Sequence, residues 1–233
     1  MKAILSLLTL VLASSLAAKA QLITVNFDAP GSGVYGGTNY SGPGADTNGV
    51  TTEYWNPMVD EGTTGASLAA NGITTTGITF SDTSEAAYGT GSGSTTLGIY
   101  NPSWFISRGT DTETFNNVPA GTYDLYIYGQ NGSFANRGGT YKLGSTTQYI
   151  ENTGDQSSFI AGVNYTEYTD ITLNSTGSIS FTYAPPPTVP GEGDLSGVQL
   201  VEIATPEPST YAMMLAGLAL LGFCVRRKAA LIS

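Results

Sequence analysis

The sequence predicts an all-β protein, an antiparallel β-sandwich of the jelly-roll type, with an N-terminal signal peptide and a single hydrophobic helix at the C-terminus. Short segments of alternating apolar and polar residues recur between glycine- and proline-rich turns. The 14 tyrosines and 8 phenylalanines recur in the same strand-like alternation. Between the two ends, no segment shows the period of an amphipathic helix.

Residues 1–20 have the three parts of a secretory signal peptide in the right order. Lys2 is the positive charge, residues 3–17 are mostly apolar, and Ala18-Lys19-Ala20 fits the small-x-small cleavage rule. Cleavage there begins the mature chain at Gln21. The alternative is a buried N-terminal helix, which does not require this order of parts.

Residues 21–203 are predicted to form one β-sandwich domain, since this length suffices for a single core. The first strand is Leu22–Phe27, with Ile23, Val25 and Phe27 on one face. A long loop rich in Gly, Asn and Pro follows, from Asp28 to about Gly72. A loop of this length in a compact domain is usually functional or partly ordered.

The segment TYDLYIYG predicts the clearest strand of the chain, because Tyr123, Leu125 and Ile127 alternate with polar or aromatic neighbours. A hairpin is predicted around Gly144-Ser145, and the proline-rich stretch APPPTVPGEGD must interrupt the sheets. The remaining strands are predicted at Ile78–Ser81, Leu97–Tyr100, Trp104–Ile106, Thr114–Val118, Thr140–Leu143, Gln148–Ile150, Asn164–Leu173, Ser178–Tyr183 and Leu195–Ile203.

Residues 204–233 form a separate C-terminal segment. Pro206-Glu207-Pro208 comes first, then an uncharged run to Val225, then Arg226, Arg227 and Lys228. The run predicts a transmembrane helix at about 209–225, with the cations on the cytoplasmic side. A soluble core helix is the alternative, but such a helix should have a polar face.

These three parts resemble the PEP-CTERM sorting signal of Gram-negative bacteria. The resemblance implies an exosortase as partner, which recognises the tail and cuts near the triplet, and a context of exopolysaccharide and biofilm. A second resemblance covers most of the body. The segments ITVNF, YSGPGA…YWN, NNVPAGTYDLYIYG and LSGVQLVEI are similar to modules of exported PEP-CTERM proteins and to galactose-binding-like jelly rolls. It implies the fold, but no sugar-contacting residue.

Composition excludes several classes of function. Between Gln21 and Thr205 the chain has three cationic and 17 acidic residues. The resulting net charge of −14 repels nucleic acid. The chain has no histidine, and its one cysteine, Cys224, lies in the apolar C-terminal run. A Ser-His-Asp triad, a typical zinc site and a disulfide are therefore not expected in the body.

The candidate carbohydrate-binding residues are Tyr54, Trp55, Asn136 and Arg137. Aromatic rings stack on the C–H faces of sugars, and amide and guanidinium groups bond their hydroxyls. Loops converge at one end of a jelly roll, so these two segments can meet. The alternative is that Trp55 fills the end of the sandwich and Arg137 forms an internal ion pair.

Calcium and catalysis are the other hypotheses. Three pairs of nearby residues offer oxygen ligands for a structural calcium: Asp46 with Asn48, Asp82 with Glu85, and Asp111 with Glu113. None matches an EF-hand loop, and such pairs are also common in turns. No catalytic residue is assigned, although a glycosidase needs only two carboxylates.

The sequence therefore predicts a secreted protein of the cell surface or extracellular matrix, sorted by an exosortase, with a body that binds or embeds in exopolysaccharide. It is anchored to the inner membrane in transit. The alternatives are a structural matrix protein without a specific ligand and a polysaccharide hydrolase. No cofactor is predicted beyond the calcium considered above.

Overall fold

Strands make up most of the described chain. A computed structural model describes residues 21–27, 41–42, 44–46, 53–58, 62–70, 74–84, 86–89, 99, 103–129, 137–151, 158–187, 191–203 and 216–221. By contacts, Gln21–Ile203 forms one compact unit, and Met1–Ala20 with Ala204–Ser233 forms the other. The predicted signal peptide lies outside the described residues, as does most of the predicted transmembrane helix.

Of the C-terminal unit, only residues 216–221 are described, and they are helical. Among the described residues, no helix has the length and apolar character needed to span a bilayer.

Sixteen strands are described in the body. They are β1 (Leu22–Phe27), β2 (Ser41–Gly42), β3 (Glu53–Tyr54), β4 (Asn56–Met58), β5 (Ala66–Ala70), β6 (Thr74–Ser81), β7 (Ala86–Gly89), β8 (Ser103–Ser107), β9 (Asp111–Val118), β10 (Gly121–Tyr128), β11 (Gly138–Leu143), β12 (Thr146–Glu151), β13 (Tyr165–Leu173), β14 (Gly177–Ala184), β15 (Gly193–Leu195) and β16 (Gly197–Glu202).

The strands form two main sheets. The small sheet has the order β13-β10-β16-β1-β4, and the large sheet has the order β5-β6-β9-β14-β11-β15-β8-β7, with β12 paired to β11. A third, two-stranded sheet joins β2 and β3. Most neighbours are antiparallel as predicted, but β1 pairs with β4, and β11 with β15, in parallel. The all-β prediction is confirmed, whereas the jelly-roll winding stays a prediction.

Both main sheets contribute to one hydrophobic core. Alternate residues of β9 and β14 are buried, so each strand turns one face inward. The rings of Phe27 in the small sheet and Phe80 in the large sheet lie 5.8 Å apart. Tyr123, Leu125 and Ile127, predicted to share one face of β10, are all buried in this core, and the two tyrosines of the opposite face are buried as well.

The predicted hairpin at Gly144-Ser145 is present. Leu143 pairs with Thr146, which leaves a two-residue loop. Gly144 has a φ of 57°, a value that suits the first loop position of a type II′ turn. The sequence thus placed this turn correctly.

The long loop predicted from Asp28 to Gly72 contains β2, β3, β4 and β5, so it is more ordered than the pattern indicates. Asn56 explains part of this order. Its side-chain amide accepts a bond from the Ala69 backbone N–H (2.8 Å) and donates to the backbone oxygens of Ala69 (2.9 Å) and Thr24 (2.8 Å). The Asn56 side chain thereby supplies hydrogen bonds to the backbones of both β1 and β5.

The last predicted strand, Leu195–Ile203, is two strands in different sheets. The chain leaves the large sheet after β15 and enters the small sheet at β16, with Ser196 between them. Ser196 donates its N–H to the Tyr128 oxygen (2.8 Å) and accepts from the Phe27 N–H (3.0 Å). A β-carbon on Gly197 would lie 2.9 Å from the Val25 oxygen, so this crossing requires glycine.

Candidate functional site

Trp55 lies in the interior of the body. Its side chain is 0% exposed, and its indole N–H donates to the Gly42 oxygen (3.2 Å). The ring packs edge-to-face on Tyr128, with centroids 5.6 Å apart. A sugar could therefore stack on Trp55 only if the residues that bury its ring moved away. Its neighbour Tyr54 is half-buried beside a groove of about 310 Å³ that β4 and β5 also line.

Arg137 forms an ion pair. Its guanidinium lies 2.7 Å from one carboxylate oxygen of Glu192, and that of Arg108 lies 3.0 Å from the other. Two of the three cations in the body thus contact one glutamate. Asn136 lies outside the described residues, so a sugar site built from Tyr54, Trp55, Asn136 and Arg137 stays a prediction.

A buried polar network lies beside Trp55 on the small sheet. The Ala45 N–H donates to the Tyr128 hydroxyl (2.6 Å), which donates to the Gln199 side-chain oxygen. The Gln199 amide then donates to Glu53 (2.6 Å), a residue only 3% exposed. Burial, followed by the neighbouring Asp46 carboxyl, raises the pKa of Glu53 to about 9. Glu53 is therefore protonated at neutral pH.

A second buried network lies on the inward face of the large sheet. Asp82 accepts bonds from the N–H groups of Gly62 (2.7 Å) and Ser84 (2.9 Å). The Ser84 hydroxyl also bonds the Tyr183 hydroxyl (2.6 Å). The Glu113 carboxyl is fully buried, and its burial, followed by the nearby Asp82, holds its pKa well above the usual range. Glu113 is therefore a neutral acid in the folded protein.

These networks bear on the calcium and glycosidase hypotheses. The fold brings Asp82 and Asp111, from different predicted pairs, close to Glu113. Yet within the described residues, no three acidic, histidine or cysteine side chains are arranged to hold a metal ion. Asn48 and Glu85 lie outside the described residues. Glu53, Asp82, Asp111 and Glu113 are all buried in the folded protein.

The outward face of the large sheet carries hydroxyl groups where the inward face carries carboxyls and rings. We call this surface the hydroxyl face. By strand register its side chains are Thr112, Thr114, Asn116, Thr140, Lys142, Thr147, Tyr149, Ser178, Ser180, Thr182 and Ala184. All are half-buried or exposed, and Tyr149 is 51% exposed.

A cleft of about 540 Å³ runs along the hydroxyl face. Its lining includes Thr140, Lys142, Thr147, Ser180 and Thr182, and none of the described lining residues is acidic. In register, Thr112, Thr182, Lys142 and Thr147 form one row across four strands. Such a row spans about 14 Å at the usual strand spacing. The cleft can therefore accommodate an extended, hydroxyl-rich chain.

Local patterns in the sequence did not predict this cleft. The alternation that exposes its residues is visible in SISFTYA and in DTETFNN. That β9, β14, β11 and β12 lie side by side is a long-range property, which no local pattern shows.

Comparison with known proteins identifies the C-terminal segment. Residues 204–228 match the PEP-CTERM protein-sorting motif. The predicted resemblance is thereby confirmed, and the motif implies export, membrane anchoring in transit and an exosortase as processing partner. A search among curated proteins finds no match.

Two solved structures are similar to part of this chain. The crystal structure of the plant receptor-like kinase FER is 13% identical, with a TM-score of 0.40, over 79% of this chain and 42% of that one. The exo-beta-1,3-galactanase from Phanerochaete chrysosporium, solved with galactose, is 19% identical, with a TM-score of 0.26, over 55% of this chain and 30% of that one. This chain thus spans less than half of either protein, and these similarities support no conclusion about activity.

Proposed function

We propose that the chain is a secreted protein of the cell surface or biofilm matrix, processed by an exosortase, and that its body binds exopolysaccharide. The sorting motif at residues 204–228 supports the route. The cleft on the hydroxyl face supports the binding. Its hydroxyl groups both donate and accept, so they can exchange bonds with water for bonds with sugar hydroxyls.

Charge supports the same function. The body carries a net charge of −14, yet the described lining of the cleft has no acidic residue. A hydroxyl-rich surface without carboxylates matches a polysaccharide strand, and many weak contacts along one polymer add up through multivalency.

The route is tested by replacing Pro206, Glu207 and Pro208 together with alanine. We expect the precursor to accumulate at the membrane and the processed form to be absent from the surface, because the triplet is the exosortase recognition element. Mass spectrometry of the chain in cells with and without exosortase measures this. Thr205→Ala is the matched control, and unchanged processing of the triple variant would contradict the route.

The binding is tested by affinity electrophoresis of the full chain in mild detergent, through gels with and without exopolysaccharide. Slower migration in the polysaccharide gel, relative to an acidic reference protein, is expected. Unretarded migration would favour a structural matrix protein without a ligand. Release of shortened sugar chains would instead show a hydrolase.

A further inference from the structure

We propose that the cleft on the hydroxyl face selects an acidic polysaccharide, with Lys142 contacting the anionic groups of the chain and Tyr149 stacking on its sugar rings. This inference rests on the proposed binding of exopolysaccharide and names the class of polysaccharide. The positions of the three cations of the body support it.

Lys142 is the one cation that the described structure leaves available to an anionic ligand. The other two cations, Arg108 and Arg137, both contact Glu192. Lys142 is exposed in the middle of the cleft, and within the described residues it makes no ion pair.

Local charge decides recognition at this position. At physiological ionic strength, charges more than about 8 Å apart are largely screened, so remote carboxylates of the acidic body weaken binding little. The described lining holds one ammonium and no acid. Its net charge is therefore positive, opposite in sign to that of the body as a whole.

Tyr149 provides the apolar part of the site. Its register partner is Thr140, whose own neighbour on β14 is Ala184, and both of these line the cleft. The ring is 51% exposed. It lies on the same face as Lys142, two residues along β12 from Thr147, the register partner of Lys142. An exposed ring beside a small residue leaves space for a sugar to stack on it.

The test measures binding of the full chain in mild detergent to polygalacturonate and to its carboxyl-reduced, neutral form. We expect polygalacturonate to bind about two- to fivefold more tightly, the range of one exposed ion pair. Lys142→Gln should abolish this preference, so that the variant binds the two polymers equally. Arg108→Gln, which removes the same charge outside the cleft, should keep the preference.

Tyr149→Ala should weaken binding of both polymers about threefold to tenfold, whereas Tyr149→Phe keeps the ring and should bind normally. Thermal unfolding of each variant checks that the fold persists. Dextran sulfate identifies the anionic group, since Lys142-dependent binding to it would extend the proposal to sulfate.

The outcomes separate the two proposals. Equal binding of polygalacturonate and its neutral form, or a preference that survives Lys142→Gln, overturns the selection of acidic chains and leaves the proposed function standing. Failure of the wild-type chain to bind any polysaccharide overturns both.

Discussion

The two faces of β9 reverse the usual distribution of charge. Asp111, Glu113 and Phe115 point inward, whereas Thr112 and Thr114 point outward. In most sheets with one solvated face, charged residues lie on that face and the buried face is apolar. Here the carboxyls are buried and the exposed face is neutral.

An acidic protein can in this way keep one surface free of negative charge. Glu113 stays inside because it is protonated, and Ser84 and Asp82 surround it. The outward side chains of β9, Thr112, Thr114 and Asn116, then carry no charge that would repel an anionic polymer. The fold thus keeps the carboxyls of this strand out of the cleft.

The largest effect should come from breaking the apolar part of the inward face. Phe115 is fully buried and packs edge-to-face on Phe80, with centroids 4.9 Å apart. Phe115→Ala should lower the free energy of unfolding by about 3–5 kcal/mol, because a cavity remains. Urea-induced unfolding followed by circular dichroism measures this, and a loss below 1 kcal/mol would contradict a shared core at this position.

A smaller effect should come from the buried acids. Glu53 has an unfolded pKa near 4.5 and a folded pKa of about 9, so the folded state binds more protons between these values. Stability should therefore be greatest near pH 4.5 and fall as the pH rises toward 9, with a melting temperature lower by at least about 5 °C. Glu113 acts in the same direction.

Glu53→Gln combined with Glu113→Gln should flatten this pH dependence, since an amide keeps the shape of the acid and cannot ionise. Asp170→Asn, which removes an exposed carboxylate, is the control and should leave the dependence in place. Melting curves from pH 5 to pH 9 provide the measurement. A wild-type protein more stable at pH 9 than at pH 5 would show that these acids are not buried as protonated groups.

The smallest effect should come from the outward face of the same strand. The Thr114 hydroxyl bonds only the Ser180 hydroxyl, at 3.0 Å and exposed to solvent, among its described contacts. Thr114→Ala should change the free energy of unfolding by less than about 0.5 kcal/mol. The same urea experiment applies. A change as large as that of Phe115→Ala would remove the contrast between the two faces.

Local patterns predicted the elements whose residues alternate, as in β10, where Tyr123, Leu125 and Ile127 are buried. They did not predict β4, because its parallel pairing with β1 and the bonds of the Asn56 amide to β5 are long-range contacts that no local pattern shows. They also missed the change of sheet at Ser196, which depends on glycines fitting against distant backbone. For the candidate site, the sequence left open whether Trp55 and Arg137 contact a sugar or lie within the body. The fold supplies their partners, because Trp55 packs on Tyr128 and Arg137 pairs with Glu192.

The body begins and ends at one place. The Glu202 N–H donates to the Gln21 oxygen (2.8 Å), and Ile203 donates to Thr122 (2.8 Å). The last strand, β16, lies between β1 and β10 and is bonded to both. A pull applied at Ile203 acts along β16, so the bonds on both sides must shear together and cannot unzip singly. A protein held by its C-terminal end in flowing water would therefore transmit force through a strand that is bonded on both sides.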